Sequence, residues 1–300
     1  MKKLMIFIIM SVLLAFTGFA YAENINLGDK TINYDIPAGY VKAQGSAYSA
    51  LLGIMQQAMP TGLRIQAMYV VQADDEAFRS SNGESGLNNY LIITTMDQLA
   101  NQPVSAKDFK DFKRELKENH GLLDDAKDIV KDRLDDVFDG QIQIGGMQAL
   151  GCFGETDTEL SYVVIMDQQA NIDGKMIYIK QALVFTGVLI NEKLIFVNQY
   201  RTVESEAEVS AFQDYTLNVL KQMNFSSPGA STQSSGSDVR GAETGASNAR
   251  AESGKKSGMG GIILVIIIIV IIVVIVGVVL SKKKSGGTKQ IQNHNHNNKE

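Results

Sequence analysis

The run at positions 261–280 is almost pure Ile, Val and Leu, with Gly277 as its one interior glycine. Counted from Met259 it holds about 22 residues, and at ~1.5 Å per residue a helix of that length matches a hydrocarbon core of ~30 Å. β-Branched residues favour strand in water, but lipid offers the backbone no partners, and a helix satisfies its N–H and C=O groups within one segment. A soluble strand of this length is set aside on size, because strands usually end after about ten residues. One transmembrane helix is therefore expected over 259–280.

The rest of the chain is ordered around that span. Lys2 and Lys3, an apolar run over 4–16 and then Ala20-Tyr21-Ala22 have the three parts of a secretory signal over 1–22, a retained signal anchor being the alternative. One domain is expected over 23–225. The Ser, Gly, Ala and Thr of 226–258 form a flexible linker of typical reach about 30 Å. Lys282, Lys283 and Lys284 directly follow the span and favour the cytoplasm, so the polar tail at 281–300 is expected inside and the domain outside. The short Met-Lys-Lys start is of bacterial type, which places the chain in a bacterial cytoplasmic (inner) membrane as a single-pass protein.

Between Glu23 and Phe225 the chain carries 29 Asp and Glu against 17 Lys and Arg, a balance of −12. Phosphate backbones repel such a surface, so nucleic acid is excluded as a partner and a basic partner is favoured. Cys152 is the only cysteine, so no intrachain disulfide forms and the fold rests on an apolar core.

Residues 25–27 and 31–36 flank Gly28-Asp29-Lys30 and predict a short hairpin that closes before Pro37. Tyr48, Leu51, Leu52, Met55 and Met59 recur at helical spacing over 46–59, with Ser46 as the cap. Strands are predicted at 63–73 and 90–96, and the polar stretch 74–89 between them, with its Asn82-Gly83 turn, is read as mobile. Ser105 and Asp108 form a capping box, Val104 can staple to Phe109, and Phe109, Phe112 and Leu116 line a helix that stops at His120-Gly121. A second, two-faced helix is predicted over 123–138. Strands at 141–153, 160–167, 175–190 and 194–201 then form an antiparallel meander, with turn signals at Asp173-Gly174 and Asn191-Glu192. Ser205 and Glu208 open a last helix, to about Met223, that turns Val209, Phe212, Val219, Leu220 and Met223 inward.

Little in this pattern advertises chemistry. His120 is the one histidine of the domain and sits where a helix stops, so a dipole contact is the first reading. No Gly-x-Ser-x-Gly, His-Glu-x-x-His or phosphate-binding loop occurs, Gly145-Gly146 marks a bulge, and Cys152 reads as a small buried apolar residue. No catalytic, cofactor or metal site is assigned. The sharpest feature is the acidic stripe Asp124, Asp128, Asp132, Asp135, Asp136 and Asp139. Like charges four apart cost a helix a few tenths of a kcal/mol each. The stripe is read first as a solvated face, with docking of a basic partner as its functional alternative and a divalent cation site as a third.

The segment Tyr34-Asp35-Ile36-Pro37-Ala38-Gly39-Tyr40 resembles the opening of Mog1/PsbP-like domains, and the later order of elements is similar from about residue 31 to 224. The resemblance implies an antiparallel sheet sandwiched by helices in a family of partner-binding or assembly factors, with no shared catalytic motif to carry over. The fold class expected is α+β, an α/β/α sandwich-like domain plus the C-terminal transmembrane helix. The function expected is binding or assembly of another envelope component, the alternative being an unfamiliar carboxylate-dependent hydrolase.

Overall fold

The computed structural model describes residues 22–227 apart from 60–61, 84, 119–141 and 173–174. Outside these lie the expected membrane span and tail, the helix stop expected at His120-Gly121, the helix expected over 123–138, the Asp173-Gly174 turn, and the expected signal and linker but for their residues next to the domain.

The strands are β1 (Ala22–Leu27), β2 (Lys30–Asp35), β3 (Tyr40–Lys42), β4 (Leu63–Val71), β5 (Asn89–Met96), β6 (Ile142–Phe153), β7 (Glu159–Ile172), β8 (Lys175–Ile190) and β9 (Lys193–Thr202). Among the described residues the helices are α1 (Ser46–Ala58), α2 (Gln72–Ser80), α3 (Asp97–Ala100), α4 (Ala106–Glu118) and α5 (Glu206–Met223). β1 and β2 pair with each other, and the other seven strands form one sheet in the order β3-β4-β5-β9-β8-β7-β6. Every pairing is antiparallel. The fold is α+β, and β6 to β9 are the expected meander.

Alternation along the strands divides the core between two faces. Tyr90 and Ile92 of β5, Leu183 and Phe185 of β8 and Phe196 of β9 join Tyr48 and Met55 of α1, Phe78 of α2 and Phe109, Phe112 and Leu116 of α4. Their neighbours Leu91, Ile93, Val188, Ile195 and Val197 face the other way, against the β1–β2 hairpin and Val219, Leu220 and Met223 of α5. Val209 and Phe212, at the other end of α5, cover Val163, Ile165, Ala182 and Val184. The hairpin is pinned by a 2.7 Å hydrogen bond between the Tyr34 and Tyr69 hydroxyls. Ser226 bonds Asn33 in both directions, at 2.8 and 2.9 Å, so the chain leaves the domain beside β2.

Local signals account for much of this. The Ser105–Asp108 box forms, with the Ser105 N–H donating to Asp108 at 3.0 Å and the Asp108 N–H donating to Ser105 at 3.1 Å. Val104 and Phe109 are buried in the same cluster, as the staple requires. Asn191 and Glu192 take φ of 46° and 64°, the paired left-handed residues of a tight hairpin turn. Gly145 sits at a register shift, the expected bulge.

Four expectations need correction. The Ser205–Glu208 box does not form, since Ser205 caps α5 with no side-chain capping bond and Glu208 accepts the Glu204 N–H at 3.1 Å instead. The stretch 74–89 is no loop throughout, because β4 ends at Val71 and α2 occupies Gln72–Ser80. Tertiary anchoring overrides its polar composition: Phe78 stacks on Tyr48 at 4.6 Å, and Arg79 pairs with Asp75 at 2.7 Å one turn back. Asp74 accepts the Asn88 and Asn89 N–H groups at 2.9 and 2.8 Å and so closes the segment onto β5. Gly45, with no side-chain cap, precedes α1 where Ser46 was expected to cap it. β7 runs to Ile172, beyond the expected end at 167, because β8 pairs with it along its whole length.

Candidate functional site

The two edges of the main sheet are built differently. At one edge β3 is only three residues long, and its Lys42 pairs with Glu23 at 2.8 Å. Where β4 runs on past β3, the Gln56 side chain of α1 takes the place of a strand. Its amide donates to the Leu63 carbonyl at 2.8 Å and accepts the Ile65 N–H at 3.0 Å. This edge is short, charged and closed, which protects a sheet from unwanted pairing.

The other edge is β6, a strand of 12 residues reading IQIGGMQALGCF, with no Asp, Glu, Lys, Arg or Pro. Among the described residues its outer side meets no other strand. Gln143, Gly145, Gln148, Ala149 and Leu150 are exposed. Register shifts fall between Ile144 and Gly146 and between Ala149 and Gly151, leaving a regular stretch between them. The glycine pair also makes room. A Cβ on Gly146 would sit 3.3 Å from the Asp167 carboxylate and one on Gly145 3.3 Å from the Gln169 amide, so both cross-strand side chains lie over the glycines.

Next to this edge the sheet extends past the body of the domain. β8 has 16 residues, but β9 pairs only with Gln181 to Ile190 and the Val203 N–H reaches the Lys180 carbonyl at 3.0 Å, so 175–179 pair with β7 alone. With β6 they form a three-stranded extension. Its inner face is covered: Gln168 and Ala170 are buried, and Gln168 donates to Gln181 at 3.2 Å. On the outer face alternation places Met176, Tyr178 and Lys180 beside Asp167 and Gln169. Met176 is 43% and Tyr178 70% exposed. The two form a small apolar patch rimmed by Asp167, Gln169 and Lys180. A cavity of 180 Å³ between Gly146, Gln148, Ile165, Asp167, Lys180 and Val209 separates this face from the start of α5.

A larger groove of 700 Å³ lies along α4, lined by Lys110, Lys113, Arg114, Lys117, Glu155 and Asp157. Its charges are largely spent on one another. Lys113 donates to the Thr156 carbonyl at 2.6 Å and lies 3.2 Å from Glu155, Lys117 pairs with Glu155, and Arg114 pairs with Asp111 at 2.8 Å. The Lys117 hydrogen bond holds the Glu155 carboxyl below its ordinary range, with Lys113 adding to the effect. A carboxyl so held is no general acid at neutral pH. Cys152 packs half-buried against the core, and burial pushes its thiol up to about 11, away from a nucleophilic thiolate. Among the described residues no three His, Cys, Asp or Glu converge as a metal site.

The acidic stripe Asp124, Asp128, Asp132, Asp135, Asp136 and Asp139 lies outside the described residues. The bare extension is what reading the sequence missed. Its signal was available in the alternation Met176, Tyr178, Lys180 on a strand far longer than its successor.

No protein-family model matches the chain, and no curated protein matches it. Similar solved structures include the Ran-binding protein Mog1p of Saccharomyces cerevisiae, at 11% identity over 69% of this chain and 95% of that one, with a TM-score of 0.29. A mutant of Mog1 gives 13% identity, 68% and 95% coverage and a TM-score of 0.30. LpqN, involved in cell envelope biogenesis of Mycobacterium tuberculosis, gives 11%, 70% and 92%, and 0.24. At these identities and TM-scores the likeness carries no argument about what the chain binds.

Proposed function

We propose that this chain is a membrane-tethered binding module, which engages another envelope component through the outer face of the β6–β8 extension. The observation that carries the reading is Tyr178, 70% exposed beside Met176 on a regular sheet. Tyrosine offers a large, rigid contact area at low entropic cost, the usual anchor of a protein interface.

The position of that face supports the reading. α5 begins beside the extension, with Val209 over Ile165, and ends with Met223 against the hairpin and Ile195. Its 18 residues span roughly 27 Å at ~1.5 Å each. The chain leaves at Ser226, at the far end of α5 from the extension. A linker over 226–258 leading into a span over 259–280 would hold the domain by that end, extracytoplasmic, and present Tyr178 away from the bilayer. The stripe Asp124 to Asp139 is the second candidate surface, for a basic partner.

Replacing Met176 and Tyr178 together by Ser in the full chain tests the assignment by chemical cross-linking in intact cells. The variant is expected to lose a cross-linked species that Asp214→Ser keeps. Retention of the same species by both variants would overturn it.

A further inference from the structure

We propose that the outer edge of β6 is a self-association site, on which β6 of a second copy pairs antiparallel about a two-fold axis to make one continuous sheet. This goes beyond the docking face, from which it differs in both surface and partner.

An unpaired edge presents a row of N–H and C=O groups to any strand that can reach it. Here one edge of the sheet is closed by Gln56 and guarded by Lys42, while the other runs 12 residues, ~40 Å at about 3.3 Å each, and among the described residues meets no strand and carries no charge. The occupant follows from charge. A two-fold contact sets each strand against its own sequence, so any charge near the axis meets its copy. In a domain with 29 acidic and 17 basic residues, β6 itself carries neither kind, and the Asp167 carboxylate that lies over Gly146 is 3.8 Å from the Lys180 ammonium, so the strand can meet itself with little repulsion. Leu150, 44% exposed, and Ala149 supply apolar contact along the same edge. The two register shifts leave Gly146 to Ala149 as the regular stretch, so the axis falls there and the contact is modest and reversible.

The test uses the full chain in mild detergent, its protein mass followed by sedimentation over a dilution series. Self-association is expected. Gln148→Lys alone and Gln148→Glu alone should each weaken it about fivefold by setting like charges beside the axis, and an equal mixture of the two should restore it. Met176→Ser with Tyr178→Ser should leave it unchanged, which separates this proposal from the docking reading. A monomeric chain at all concentrations would overturn the proposal. So would a dimer indifferent to both charges, which would place the contact elsewhere on the chain, or two weakened variants that fail to rescue each other.

Discussion

Gly28 and Gln199 show how single residues set this fold. Gly28 turns the β1–β2 hairpin at φ +60°, and a Cβ there would come within 2.7 Å of the Ala100 carbonyl oxygen. Backbone cannot yield as a flexible side chain can, so Gly28→Ala is expected to cost about 1–3 kcal/mol, read as a lower urea midpoint. Gln199 is fully buried under α5, and among the described residues neither end of its amide has a partner. Its strand neighbours in register are Leu91 and Val184. Gln199→Leu removes an unsatisfied group at similar volume and is expected to stabilise by about 1 kcal/mol. A lower melting temperature would show that the amide is satisfied. The Gly28-Asp29 turn was readable from sequence. The burial of Gln199 was not, because alternation along β9 puts polar and apolar residues on faces that are both covered.

Elements were legible where a local signal decided them. The Ser105–Asp108 box, the Asn191-Glu192 turn and the inward stripe of α5 all act within a few residues, and all formed. α2 was missed because its helicity is decided from outside, by Tyr48 stacking on Phe78. The bare extension was missed for a related reason: the exposure of Tyr178 depends on β9 having no residue paired beyond Gln181. Edge closure by Gln56 is likewise a tertiary fact. Gln56→Ala removes both hydrogen bonds to β4, and we expect a loss of about 1 kcal/mol together with faster amide exchange at Ile65. Unchanged exchange there would mean that the side chain does not protect this edge.

At the scale of the whole domain, aromatic burial sets the response to alkali. Burial pushes the Tyr34 hydroxyl up to about 12 against its hydrogen bond to Tyr69, and burial also raises Tyr69, Tyr90 and Tyr200. A phenol harder to ionise folded than unfolded contributes stability that is complete below its ordinary value of 10. That stability is lost as pH rises through the folded value. The urea midpoint should therefore fall steeply above pH 10. A urea midpoint that does not fall above pH 10 would contradict this.

The same whole-molecule geometry sets Ser226, where the proposed tether would begin, against the bare face at Tyr178, and on that opposition the functional reading stands. A photo-activated cross-linker placed at Tyr178 of the full chain in intact cells tests it most directly, with Lys221 near the end of α5 as the control position. The account predicts one defined adduct from position 178 and none from 221. Equal labelling from both positions, or adducts to lipid from 178, would contradict it.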